Sequence, residues 1–348
     1  MNDEDIFPDS SLCFVLYANC LPVLGATRAL LCDLETQRLE FIPSALYDML
    51  VNFENKALKE VIRAYGRQNE QQIREFYTFL LRKGYGQMMP VDEAVCFSRV
   101  SMDWKSPALI ENAIVDSNRH SDHPWESIIT QLSTLGCTAL LLRFFDPVSD
   151  DILDRIFATL EHSAVFTVEL IIPWNSGNTL ADWHAVIDKC PRVKRVCLHS
   201  LPKDQKEQET RSLYATFTTS HQEIGDSNHC GYISPHSFSV NMGFFIEAQK
   251  HNTCLNGKVS IDTQGDVCNC PAMKARYGNI ADINLASVVK ERVFRSYGEI
   301  AKDQIAVCQD CEFRYICSDC RAFVSGLHDK PFRCGYDPYT ATWSEVSR

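Results

Sequence analysis

A chain of 348 residues, 45% hydrophobic and 23% charged, has the length for two or three domains with ordinary cores. Its net charge of −11 argues against a general nucleic-acid binder, which needs a basic face; the one candidate stretch, 203–211, is diluted by Asp204, Glu207 and Glu209. No run approaches the roughly eighteen apolar residues of a membrane span, and the acidic opening MNDEDIFPDS lacks the basic and apolar regions of a secretory signal, so a cytoplasmic chain without membrane contact is expected.

Residues 12–89 read as a small unit, the first of three expected domains (1–89). LCFVLYANC, ALLCD and LEFIP are expected as short strands, with LETQR as a hairpin turn. Helices follow in SALYDMLVNF, LKEVIRAYGR and QQIREFYTFLLRKG. In the last, Ile73, Phe76, Leu80 and Leu81 share one face; Asn69 with Gln72 suggests a capping box, and Gly84 a stop. Strands followed by three helices predict a winged-helix-like module. It lacks a basic recognition helix, so its alternative use is to accept a peptide as an added strand beside a helix groove.

Residues 90–107 read as a connector, and from about 108 strands alternate with helices. ALIENAIV, CTALLLRFF, AVFTVELIIP and VKRVCLHS are expected strands, with SLYATFTTS as a last one. WESIITQLSTLG, DDILDRIFATLEHS and TLADWHAVIDKC are expected helices. Apolar strands in βα units predict an α/β fold with a parallel sheet, and four or five units predict a partial rather than a closed barrel, over 90–225. The third domain, 226–348, begins where this regularity fades; GKVSIDTQGDVCNC within it reads as a hairpin.

The chain has sixteen cysteines, eight of them in the last 95 residues. In a reducing compartment they are not expected to form a disulfide framework. Cys137 and Cys197 sit in apolar runs and read as buried small hydrophobes. The late ones are spaced Cys254–x13–Cys268–x–Cys270, then Cys308–x2–Cys311–x5–Cys317–x2–Cys320, and Cys334. Thiolates two residues apart turn onto one metal, and four complete a tetrahedral zinc or one iron–sulfur cluster. Two pairs only five residues apart are tight for a zinc ribbon, and seven or eight cysteines call for two centres.

Cys254, ten residues, Gly265, four residues and Cys270, followed by Cys308, Cys311, Cys317, Cys320 and Cys334, resemble the SPASM domain, a seven-cysteine pattern that carries two auxiliary 4Fe–4S clusters behind a radical S-adenosylmethionine barrel. The resemblance implies one cluster on Cys308, Cys311, Cys317 and Cys334, and another on Cys254, Cys270 and Cys320. The fourth ligand of the second is Cys230 or Cys268, with Cys230 favoured because Cys268 and Cys270 lie on the same side of a strand. The sequence departs from the family by one residue, with two rather than three residues between Cys317 and Cys320. Zinc in place of clusters, or free thiols, are the alternatives.

The barrel lacks the CxxxCxxC that a radical S-adenosylmethionine enzyme needs after its first strand. The chain there runs DSNRHSDHPW, and RFFDPVSDD stands where a glycine-rich segment is expected. A degenerate barrel is therefore expected, with no S-adenosylmethionine bound and no radical generation. His120 and His123, with Asp116 and Asp122, read either as a metal site or as a polar loop in which Asp122 or His123 caps the helix after Pro124. GxxxxGK[ST], GxGxxG after a strand, GxSxG and HExxH do not occur, and no catalytic residue is assigned.

Beyond the tail, LPVLGATRALLCDLETQRLEFIPSALYDML, IENAIVDSN, TLGCTALLLRFFD and CGYISPHSF…NMGFFIEAQKHNTCLNGKVSID resemble the SPASM-domain peptide maturases of grasp-with-spasm systems over nearly the full length. The resemblance implies ribosomal peptide natural-product biosynthesis, beside an ATP-grasp ligase and a short precursor peptide recognised by the N-terminal module. Two other readings stand: a redox or Lewis-acid enzyme using an under-ligated cluster at Cys254, Cys270 and Cys320, and a zinc-stabilised binding scaffold.

Overall fold

Short strands and three α-helices make up the described residues up to 89, but the strands divide between two small sheets. The computed structural model describes residues 9–346; the segment 1–8, which carries most of the signal-peptide reading, lies outside the described residues. LCFVLYANC is not one strand. β1 (Cys13–Leu16) stops at a turn, and β2 (Cys20–Leu24) starts a second sheet with β3 (Ala29–Asp33) and β4 (Arg38–Ile42), antiparallel and in the order β2-β3-β4. The LETQR turn is held by the buried Asp33, which accepts from Asn19 at 2.8 Å, the Thr36 amide at 3.1 Å and Arg38 at 2.8 Å. That carboxylate ties both turns flanking β3, fixing the hairpin register.

Helices α1 (Ser44–Asn52), α2 (Leu58–Tyr65) and α3 (Glu70–Lys83) pack on this sheet through Leu46, Val61, Ile73, Tyr77 and Leu80. Phe76 and Leu81 reach only the edge of that core. Gly84 ends α3 in the left-handed conformation at φ 74°. The expected capping box is absent: the Asn69 side chain donates back to Tyr65 O at 2.7 Å. β5 (Gly86–Met89) returns to pair antiparallel with β1, and α4 (Val91–Ala94) opens an otherwise irregular connector.

The centre of the chain is a mixed α/β layer. In order come β6 (Asn112–Ser117), α5 (Trp125–Thr134), β7 (Ala139–Phe144), α6 (Asp150–Glu161), β8 (Thr167–Pro173), α7 (Leu180–Ile187), β9 (Val193–His199), β10 (Glu209–Arg211) and β11 (Thr216–Thr219). Ser149 caps α6 by accepting from the Ile152 amide, and Thr179 with Asp182 forms a capping box on α7. After α8 (Met242–Ala248), β12 (Lys258–Ile261) and β13 (Val267–Cys268) form the expected hairpin. β12 also pairs parallel with β6, so the sheet runs past residue 226 into the cysteine-rich part. The eight strands lie in the order β10-β11-β9-β8-β7-β6-β12-β13, parallel except at the two edges, and the sheet stays open.

Alternate strand residues (Val115, Leu142, Leu170, Val196, Ile261) pack under the helices. The intervening ones face the other side, where Asp116, Arg143, Glu169 and Arg195 alternate with apolar residues such as Ile114, Leu141 and Ile171, so that face is mixed. A third core joins Val23, Leu30 and Cys32 of the N-terminal strands to Ile233, Phe245, Phe313, Ile316 and Tyr336, so the first module docks on the cysteine-rich segment. Arg28, Glu312 and Tyr336 lock this contact, and Ala26 N donates to Asp310 O at 2.8 Å. Among the described residues, no helix is long and apolar enough to cross a membrane.

Candidate metal centres

Apart from Cys268, which lies in β13, the late cysteines sit on turns and short bridges rather than on long elements, and these divide them into two groups. Val307, at φ 67°, starts a tight turn at Cys308–Asp310, and the backbone N–H groups of Arg314 and Cys317, donating to Cys311 O and Phe313 O, wind the chain back. Short bridges then place Cys317 beside Phe238 and Cys334 beside Ile233. The result brings Cys308, Cys311, Cys317 and Cys334 within electrostatic reach of one another. Burial pushes Cys308 up to about 12 and Cys317 to about 11, and raises Cys311 and Cys334 as well. Lys302, itself buried and donating to Cys317 O, opposes this at Cys308, Cys317 and Cys334. Asp319, fixed by Asn252 at 2.5 Å and Arg321 at 2.7 Å, reinforces it. Thiols held this high stay protonated until a cation takes over their charge.

Cys320 turns away from that group, despite lying three positions after Cys317. It joins Cys230, Cys254 and Cys270. The four act on one another's charge: Cys230 and Cys270 shift each other in opposite directions, Cys254 raises Cys270 and Cys320, and Cys230 raises Cys320. Gly231 makes this approach possible: its φ is 84°, and a Cβ there would stand 2.9 Å from Cys320 Sγ. Cys230 is lowered, by its interaction with Cys270 first and, against burial, by the charge of the Arg143 guanidinium; Cys270 is raised by Cys230 and by burial. In its thiol form Cys230 donates to Ser227 O at 3.3 Å. Lys258 Nζ lies 3.6 Å from Cys254 Sγ. Cys268 stays in the sheet, fully buried, with its thiol toward Ser260 O at 3.6 Å. Among the described residues, no three His, Cys, Asp or Glu side chains close to the spacing of a single ion.

The loop after β6 does not gather its histidines. His123 turns inward, its Nε2 2.8 Å from Asp116 O and its ring edge-on to Trp125, while His120 is exposed. Pro124 takes the helix N-cap position, so neither Asp122 nor His123 caps the helix. The loop is closed down by its own polar groups: Asn118 accepts from the His120 amide, and Ser121 Oγ donates to Thr263 O at 2.6 Å. Cys137 is buried and Cys197 half-buried; Cys96, in the connector, is exposed.

In the first module, β4 is an outer strand, and among the described residues no strand pairs with its open side. Leu39 and Phe41 on it are 37% and 47% exposed. Lys83 of α3 reaches Glu40 at 2.9 Å, and beyond it lies a groove of about 400 Å³ along Glu75, Thr78, Phe79, Arg82 and Lys83. Between this module and α8 lies a second cleft of about 270 Å³, with Tyr17, Met49, Phe53, Met102 and Tyr315 in its wall.

Several residues of these sites carry no local sequence signal. Asp116 and Arg143, 27 positions apart, meet only because β6 and β7 align in parallel. Lys302, Asp319 and Glu312 are single charges in unremarkable contexts. Gly231, next to Cys230, is the one residue whose type was a usable hint.

No family model and no curated protein matches the chain. Among solved structures it is similar to SuiB of Streptococcus suis. The crystal structure bound to S-adenosylmethionine aligns at a TM-score of 0.37 and 10% identity, over 91% of this chain and 98% of that one. The structure bound to precursor peptide SuiA aligns at 0.33 and 10%, over 92% and 99%. Superpositions this loose carry no functional argument.

Proposed function

We propose that this chain is a maturation protein for ribosomally made peptides, which binds a precursor through its N-terminal module and carries two 4Fe–4S clusters. Cys308, Cys311, Cys317 and Cys334 would hold one cluster; Cys230, Cys254, Cys270 and Cys320 would hold the other. The observation that carries this reading is the division of Cys230 and seven of the eight late cysteines into two groups of four thiols, each buried or half-buried. A tetrahedral zinc holds its sulfurs about 3.8 Å apart, from bonds of about 2.3 Å. In a cubane each ligand sulfur binds a different iron, so the four stand farther apart than around one zinc. Bound there, the clusters would supply electron transfer or a tie between loops.

With Cys230 beside Cys270, the second group has four thiols, which disfavours the alternative enzyme built on an open iron at a three-cysteine site. The absent CxxxCxxC and the closed 118–121 loop disfavour reductive cleavage of S-adenosylmethionine. An ATP-grasp ligase would then supply the bond-forming step, with this chain presenting the peptide.

For the peptide, β4 offers an unpaired backbone edge and α3 an adjoining groove, the arrangement that accepts an added strand. The test titrates a labelled peptide encoded beside this chain's gene against the full protein and its Leu39→Asp variant. A loss of about tenfold or more, about 1.4 kcal/mol, is expected. Equal affinities would overturn the assignment of β4 as the binding edge.

A further inference from the structure

Asn252, Asp319 and Arg321 are 1%, 1% and 3% exposed, and hydrogen bonds join them into one buried network. Asn252 uses both ends of its amide. Its Oδ1 accepts from the backbone N–H groups of Cys254 and Leu255, each at 3.0 Å, and so shapes the turn that carries Cys254. Its Nδ2 donates to Asp319 Oδ2 at 2.5 Å. The other Asp319 oxygen accepts from Arg321 Nη2 at 2.7 Å. Arg321 Nη1 donates to Leu327 O and Asp329 O, both at 2.9 Å. Between them, His328 O accepts at 2.9 Å from the backbone N–H of Ala306, two residues before Cys308.

Asp319 lies in the chain between Cys317, of the first thiol group, and Cys320, of the second. The network therefore touches the Cys254 turn, the segment shared by Cys317 and Cys320, and the loop that leads on to Cys334. A buried ion pair such as Asp319–Arg321 adds little net stability but is costly to break, so it holds the segments it joins in one arrangement.

We propose that Asp319 is a positioning residue shared by the two thiol groups: through Asn252 it holds the Cys254 turn against the segment carrying Cys317 and Cys320, so that filling one centre orders the ligands of the other. The proposal rests on the reading that both groups hold iron–sulfur clusters. Ordering a ligand-bearing loop costs conformational entropy, and that cost is part of a metal centre's affinity. The second centre to fill meets ligands already held by the first, and so binds more tightly.

The test loads the full-length protein anaerobically with limiting iron and sulfide, and counts irons on each chain by native mass spectrometry. Four forms are compared: wild type, Asn252→Ser, Asp319→Leu with Arg321→Met, and Cys254→Ser. Asn252→Ser keeps an oxygen for the Cys254 amide but is too short to reach Asp319. The double variant removes both buried charges together, so neither is left unpaired; if it does not fold, Asn252→Ser alone decides. With half of the sites filled, two independent centres leave about half of the chains or more with four irons, and a coupling of about sixteenfold lowers that share to about a fifth. Wild type is expected near a fifth. Asn252→Ser and the double variant are expected near half, each still reaching eight irons in excess iron and sulfide. A merely structural role would lower that capacity without moving the four-iron share. If wild type leaves half or more of its chains with four irons, or Asn252→Ser keeps the wild-type share, the role of Asp319 is refuted. Cys254→Ser is expected to stop at four irons in excess iron and sulfide. If it reaches eight, or if no form takes up iron and sulfide, the cluster assignment is wrong and the proposal falls with it.

Discussion

Removing the carboxylate of Glu312 should unlock the N-terminal module from the cysteine-rich segment. Glu312 is 0% exposed and its Oε1 accepts from Arg28 Nε at 2.8 Å and from Tyr336 OH at 2.5 Å. Arg28 also lies over the Phe41 ring at 3.5 Å, so one arginine ties β4 to the segment that carries Cys311. In Glu312→Ala the arginine side chain, 30% exposed, still reaches water, but the Tyr336 hydroxyl loses its buried acceptor. A hydrogen bond to a charged group is worth about 1.5–3 kcal/mol and an orphaned buried hydroxyl costs about 1–3, so a net loss of about 3 kcal/mol is expected after the arginine is resolvated. Glu312→Gln keeps an acceptor and should lose about half as much. Urea unfolding of the metal-free proteins reads the difference, with Arg28→Leu completing a double-mutant cycle whose coupling should exceed about 1 kcal/mol. Glu312→Ala within about 0.5 kcal/mol of wild type would refute this account of the junction.

Cys230→Ser should remove about four irons per chain while Cys268→Ser, whose thiol stays in the sheet, should remove none; anaerobic iron analysis decides. Gly231→Ala puts a methyl 2.7 Å from the Phe323 ring and 2.9 Å from Cys320 Sγ at φ 84°, and should cost about 2 kcal/mol in urea unfolding along with the second cluster. Glu247 is raised to about 7 by burial, with Glu111 adding and Asn256 and Lys258 opposing. Its protonated form therefore stabilises the fold fully below pH 4.5, and that contribution is lost as pH rises through 7. Thermal melts should show a decline on the order of 2 kcal/mol across this window that is absent in Glu247→Gln.

What was legible beforehand was local. Apolar runs bounded by turn residues marked β6 to β9, and Gly84 marked a helix end, because those signals lie within a few residues of the element they control. Cysteine spacing marked the thiol-rich turns for the same reason. Pairing across the chain was not legible. β1 leaves its neighbours for β5, and β12 joins β6 across more than 140 positions, because strand order depends on which apolar faces meet rather than on any one strand's residues. Asn69 had the right type for a cap, but a tyrosine carbonyl four residues back captured its side chain. The inward turn of His123 depends on the Asp116 carbonyl and Trp125, neither of which its spacing to His120 reveals.

The central claim, two clusters on eight named cysteines, is tested most directly by measuring iron, acid-labile sulfide and zinc per chain in anaerobically purified protein, alongside its visible spectrum. The account predicts about eight irons and eight sulfides, with broad absorption in the blue that bleaches on reduction. A colourless protein holding stoichiometric zinc, or no metal at all after reconstitution with iron and sulfide, would contradict it.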